Sequence, residues 1–238
     1  MTTVRRAGWV AHRRGALGII GRMDDPSRSA PPGLAQRLRS ATRDGHASAE
    51  RAGIMPLLLK GELPLPRYCE LLANLLAIYA ALEPALATHR DHACLAPLWH
   101  PSLARRASLE LDLAALAGPR EVPRRTLQPA ALGYVQRLQQ LAADDPPLLV
   151  AHAYVRYLGD LSGGQLLSRI VAGAYGLVDG RGTRFYDFGP AGEPAALASA
   201  LRRGLDALPV DGALAAAIID EAREAFRRHQ ALFIELDD

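Results

Sequence analysis

Cysteine is scarce in this chain of 238 residues. The two present, Cys69 and Cys94, cannot build a disulfide framework or a CxxC metal site, so a reducing, cytoplasmic setting is the simplest expectation. Lysine is scarcer still: Lys60 stands alone, and any cationic contact to a ligand falls to arginine, whose planar fork suits carboxylates. No apolar run approaches the roughly eighteen residues needed to span a bilayer, and the chain stops just after its last helical pattern, so no membrane anchor is expected. A dominant charge is missing too. The formal net charge is only +3 and acids are spread along the chain, which gives no sign of a nucleic-acid partner.

What is present is helical periodicity. With 49% hydrophobic residues, the length suits one domain with a sizeable core. Apolar positions recur at three- and four-residue steps through 34–52, 65–88, 104–117, 129–144, 146–175, 194–208 and 211–236, while strand signals are nearly absent and no repeat is visible. Clusters such as GELPLP, AGPREVP and GRGTRFYDFGPAGEP separate these segments. The expectation is an all-α domain over 33–238, with 176–193 running irregularly over the surface. Residues 1–32 stand apart: five arginines and no acid in the first twenty-two, then DDPSRSAPPG. They read as a flexible basic tail, and Met23 is an alternative start.

The most informative stretch is AHAYVRYLGDLSGGQ, residues 151–165. Gly159, Gly163 and Gly164 each weaken a helix by about 1 kcal/mol relative to alanine, a cost that packing or function must offset. Gly159 and Gly163 lie four residues apart, hence on one face, where bare backbone can meet a planar ligand and the helix can bend. Asp160 sits in the middle of that bend. Its carboxylate needs a hydrogen-bonding partner beside an apolar pocket, and Arg156, one turn earlier, can supply it.

This run resembles the distal-helix signature of the heme oxygenases, nearly residue for residue. The likeness extends to LRSATRDGHASAE around His46, similar to the family's proximal helix, and to IYAALE (78–83), SLELDLA (108–114) and EAREAF (221–226). It implies a multi-helix bundle holding heme between a proximal helix and a kinked distal one. His46 would be the iron ligand, with Glu50 one turn on fixing its tautomer. His12, His89, His92 and His100 are most simply solvated, and His152 has a structural or solvent role.

The resemblance assigns further roles. Arg39, Arg43, Tyr154 and Arg202 match the set that holds the heme propionates, although Ala198 stands where relatives often carry lysine and weakens that side of the clamp. Asp160 matches the distal aspartate that anchors a proton-delivering water, supported by Tyr79, Arg156 and Tyr157, with Gly159, Gly163 and Gly164 against the macrocycle. Met55 and Phe226 match apolar residues at the heme edge, where periodicity alone favours plain core. His229 stands where relatives often have asparagine, which points to a tuned or pH-dependent proton supply.

The implied activity is that of a monomeric oxidoreductase using heme b as substrate and cofactor. Dioxygen and electrons from a ferredoxin, flavodoxin or reductase would convert it to biliverdin, with the α isomer expected, together with ferrous iron and carbon monoxide. A heme carrier or sensor would keep His46 and the glycines without needing Asp160 and its supports. A thiaminase-like helical enzyme would need a cysteine nucleophile beside acids, and neither Cys69 nor Cys94 has such a setting.

Overall fold

Eight α-helices and no strand make up the described part of the chain, which in this computed structural model comprises residues 32–117, 127–190 and 193–237. The expected basic tail lies outside those residues except for Pro32. The helices are α1 Leu34–Ala49, α2 Met55–Lys60, α3 Leu65–Thr88, α4 Arg106–Ala117, α5 Pro129–Asp144, α6 Leu149–Tyr175, α7 Glu193–Asp206 and α8 Gly212–Glu235. Seven follow the periodic spans closely. The six-residue α2 is too short to show a period, but Pro56 near its start and left-handed Gly61 at its end mark it.

Several helix starts have no side-chain cap of their own and borrow one from far along the chain. Asp206 on α7 accepts from Ala35 N at 2.9 Å at the head of α1, and Glu235 on α8 accepts from Ala130 N at 2.8 Å at the head of α5. Glu83 on α3 receives Arg105 N and Arg106 N as α4 begins. Each carboxylate satisfies amides that an isolated helix leaves unpaired, and it favours the positive end of the dipole. Local helix formation is thereby tied to the tertiary fold.

Helix α8 lies against α1, α5 and α6, and α3 against α4, α5 and α6. Their shared core includes Leu38, Leu72, Ile78, Leu82, Leu138, Ile218 and Leu232, each fully buried. Burying such a side chain contributes roughly 2 kcal/mol.

Two expectations fail here. α3 contains an eighteen-residue window of mean hydropathy 1.5, long and apolar enough to cross a membrane, although its polar residues break the run to the eye. It is a core helix of the bundle, for Asn74 and Tyr79 are wholly buried, and Asn74 Oδ1 accepts from Gln128 N at 2.8 Å. Nor does 176–193 simply skim the surface. Phe185, Tyr186 and Phe188 are buried, because Asp112 on α4 accepts from Arg184 N and Phe185 N at 3.0 and 2.8 Å. Arg105 completes the anchor by donating to Asp187 O at 2.5 Å and lying 3.8 Å over the Phe188 ring.

Candidate active site

Helix α1 supplies one side of the site. Arg39, Arg43, His46 and Glu50 recur at steps of four, three and four residues, which brings them onto one face. His46 and Glu50 are 57% and 54% exposed, and His46 Nδ1 faces Glu50 Oε1 at 3.7 Å. That separation is too long for a direct hydrogen bond. It nonetheless turns Nδ1 toward the carboxylate and leaves Nε2 as the remote nitrogen. Phe226 from α8 stands edge-on to the imidazole with centroids 5.9 Å apart, an approach that Gly45 permits, since a Cβ there would meet Phe226 Cβ at 3.2 Å. Met55 is partly buried against the core at the start of α2.

Helix α6 supplies the other side. It continues through Gly159, Gly163 and Gly164 without interruption, so any bend there leaves the helix whole. A Cβ added at Gly159 or Gly163 would meet nothing within 4 Å, which makes this face an open backbone surface. Gly164 differs. It points about 100° away from Gly163 around the helix, is buried, and would set a Cβ 3.5 Å from the Tyr186 ring, so its place is in packing rather than on the open face the sequence assigned it to.

Behind the glycines lies a buried polar cluster. Tyr79 from α3 donates to Asp160 Oδ2, and Arg156 donates from Nη2 to Asp160 Oδ1 at 3.0 Å and from Nε to Tyr79 Oη at 3.0 Å. The Arg156 and Asp160 side chains are only about a tenth exposed, which removes them from the class of weak surface bridges. Burial raises the Asp160 carboxyl above its ordinary value, opposed by Arg156, Tyr79 and Arg105. Burial alone would lower Arg156, but Asp160, Tyr79 and Tyr134 outweigh it and the guanidinium stays charged. Tyr157 stands beside Tyr79, ring centroids 6.2 Å apart, and contributes packing rather than a hydrogen bond to the cluster.

Of a tuned or a pH-dependent proton supply, the setting of His229 argues against the pH-dependent one. It is buried on α8, and burial together with Arg156 holds its pKa well below the usual histidine value, so it remains neutral through the physiological range. His152 is likewise buried and structural: Nε2 lies 3.0 Å from Glu221 Oε1 and Nδ1 3.0 Å from Tyr134 Oη. Glu221, also bound by Arg137 at 2.6 Å, is lowered to about 2 because these hydrogen bonds outweigh burial. Of the histidines expected to be solvated, His89 lies 2.9 Å from Ala142 O, and His92 and His100 accept backbone amides locally, while His12 lies outside the described residues.

Tyr154 joins the two sides. Thr42 gives its proton to Leu38 O at 2.8 Å, so Tyr154 donates across to Thr42 Oγ1 at 3.2 Å. Counted from that bond, His46 lies about one turn further along α1, and Gly159 and Gly163 about one and a half and two and a half turns further along α6. Burial raises the Tyr154 phenol while Arg39 and Arg202 act against it, so both guanidiniums bear on this point. Arg39, Arg43 and Arg202 are exposed and make no ion pair among the described residues. Ala198, one turn before Arg202, is buried. Sequence reasoning missed Thr42, Arg105, Tyr134 and Glu221. Only Thr42, one turn before His46, carried a signal.

A family model described as heme oxygenase matches residues 32–235. The chain belongs to the heme oxygenase family. It is 41% identical over 204 residues to heme oxygenase 1 of Synechocystis sp. PCC 6803, covering 86% of this chain and 85% of that protein, and 38% identical over 213 residues to heme oxygenase 1 of Bos taurus, covering 89% and 74%. The crystal structure of the Synechocystis enzyme in complex with heme superposes with a TM-score of 0.82 at 40% identity, covering 87% and 93% of the two chains. Heme oxygenase from Leptospira interrogans gives the same TM-score at 33% identity, covering 86% of this chain and all of the other. This membership and the geometry both disfavour the thiaminase-like alternative, since Cys69 and Cys94 are buried and burial raises the Cys94 thiol.

Proposed function

We propose that the chain takes one heme b between α1 and α6 and, with dioxygen and electrons, cleaves it to biliverdin, ferrous iron and carbon monoxide. The observation that carries this reading is the glycine face of α6: Gly159 and Gly163 offer bare backbone on which even an added Cβ would meet nothing of the protein within 4 Å, with Asp160 and Arg156 buried directly behind. A flat macrocycle suits such a face. Bound heme would supply both the iron that activates dioxygen and the carbon that is oxidised.

The chain's own residues do the rest. His46 ligates through Nε2 while Glu50 orients Nδ1. Arg39, Arg43 and Arg202, without an ion pair among the described residues, bind the propionates with Tyr154. Phe226 and Met55 exclude water near the proximal edge. Asp160 uses one lone pair on each oxygen for Arg156 and Tyr79 and keeps a second on each to hold water, through which a proton reaches dioxygen. A carrier would not require that buried carboxylate, and this favours turnover.

The propionate set also orients the ring in its plane, from which we infer biliverdin IXα as the main product. The electron donor is a ferredoxin, flavodoxin or reductase, and an acidic one would suit the exposed arginines. Every residue assigned above comes from one chain, which supports a monomer, and the scarcity of cysteine supports a reducing cytosol.

Absorbance spectroscopy on the purified protein mixed with hemin tests the reading. One equivalent should give a histidine-ligated spectrum, and reductant with oxygen should convert it to biliverdin. His46→Ala should abolish the histidine-ligated spectrum; an unchanged spectrum would overturn the proximal assignment.

A further inference from the structure

His229 does more than fill the core. Its Nδ1 lies 2.8 Å from Ala225 O and its Nε2 lies 2.6 Å from Arg156 Nη1. A carbonyl oxygen only accepts and a guanidinium only donates. The ring must therefore carry its proton on Nδ1 and present a bare lone pair at Nε2. The opposite tautomer would set N–H against N–H at 2.6 Å and leave Ala225 O facing a lone pair. The imidazolium would add a second positive charge to the first of these clashes.

We propose that His229 is a positioning residue that, as the neutral Nδ1–H tautomer, fixes the Arg156 guanidinium and through it the proton-holding state of Asp160. Arg156 has three nitrogens and each has its own partner: Nε donates to Tyr79, Nη2 to Asp160 and Nη1 to His229. Without the third, only Nε and Nη2 hold the planar fork, Nη1 is left buried without its acceptor, and the charge that opposes Asp160 burial is less firmly held in place. The surroundings suit a ring that never charges. Arg156 and His152 bear on it from α6, the Tyr134 ring from α5 meets it edge-on with centroids 5.1 Å apart, and Phe233 on α8 lies at 6.0 Å. Two of these are cationic or can become so, and two are aromatic.

The proposal rests on the assignment of Asp160 as the group that holds the proton, yet its first test needs no heme. Nitrogen NMR of the heme-free protein labelled at histidine should show His229 protonated at Nδ1 only, unchanged from about pH 5.5 to 8.5, a window centred near the ordinary histidine range. An imidazolium signal, or the Nε2–H tautomer, would overturn the proposal while leaving the heme oxygenase reading intact.

The second test follows the Asp160 carboxyl carbon by NMR during acid–base titration of heme-free variants. His229→Leu, which keeps bulk but no acceptor, should move the Asp160 midpoint upward by about one pH unit, the lower end of what an oriented opposite charge contributes. His229→Gln, whose amide oxygen can accept at the same place, should restore it. Biliverdin formation by the heme-loaded proteins should fall in the Leu variant and recover in the Gln variant. A midpoint or product yield in His229→Leu equal to that of the unaltered protein, or an equal loss in both variants, would show that His229 only fills space. Should the Leu variant fail to fold, the tautomer measurement decides alone.

Discussion

The two sides of the site are built in opposite ways. On α1, His46, Arg39, Arg43 and the facing Arg202 are exposed, and the nearest carboxylate to His46, on Glu50, stays beyond direct hydrogen-bond range. Around α6, Tyr79, Arg156, Asp160 and His229 are buried and joined to one another, and every nitrogen of the guanidinium is occupied. One side offers unsatisfied groups to an incoming ligand; the other has spent its polar groups on holding a single carboxyl. The difference teaches where each kind of error would be felt. On the proposed assignments, changes on the α1 side should alter binding, and changes in the buried cluster should alter chemistry.

The sharpest break in that division is Asp160→Ala. Heme should still bind with a histidine-ligated spectrum, while biliverdin formation falls roughly a hundredfold, the low end of what a positioned proton-transfer group contributes. Normal product yield would place the proton elsewhere.

Acid stability probes the buried side without heme. His152 and His229 both have folded-state pKa values depressed by burial, so the unfolded chain binds protons that the folded chain refuses. Their contribution is present above about 6.5, the unfolded value, and is lost as pH falls toward their folded values. Denaturant unfolding should therefore show the protein more stable at pH 7 than at pH 5.5 on account of these two rings. The raised Asp160 carboxyl acts in the opposite sense, its contribution being present at low pH and lost on deprotonation, so the contrast with His229→Gln isolates one ring. A pH slope unchanged in that variant would mean that the folded protein protonates His229 readily.

Gly163→Leu tests the boundary between the two sides. The added side chain enters open space in the heme-free protein and removes a glycine from a helix, so thermal stability should hold or rise by up to about 1 kcal/mol. Heme affinity, read by titration, should drop about tenfold, within the 1–3 kcal/mol range of overpacking. Unaltered affinity would show that heme does not lie against Gly163. The smallest effect belongs to the exposed edge: Arg202→Glu should weaken heme binding only a few-fold, as screened surface charges do, and admit other biliverdin isomers on chromatography. A product still entirely of one isomer would show that Arg202 does not orient the ring.

Much of this was legible before folding because it is local. Helix periods and Pro and Gly punctuation located seven helices, and the order of Tyr, Arg, Gly and Asp along 154–164 carried the likeness to the family. What escaped were partnerships across long stretches of chain. Nothing near Arg105 in sequence announces that it anchors Asp187 and Phe188, and nothing in LGYVQR marks Tyr134 as a neighbour of His152 and His229. The irregular stretch 176–193 misled for the same reason, since polar turn residues flank aromatic side chains whose burial depends on Asp112, some seventy residues earlier.

By itself, then, the sequence determined seven of the helices and the family, because hydrophobic period and motif order are properties of neighbours along the chain. Tertiary structure alone decided which groups are dry. It made the Arg156–Asp160 pair a buried one, turned Gly164 into a packing contact, set carboxylates from α3, α7 and α8 on the ends of other helices, and held His229 neutral. The physical reason is that solvation and hydrogen-bond partnership depend on distance in space, and folding brings together residues that the chain keeps a hundred positions apart.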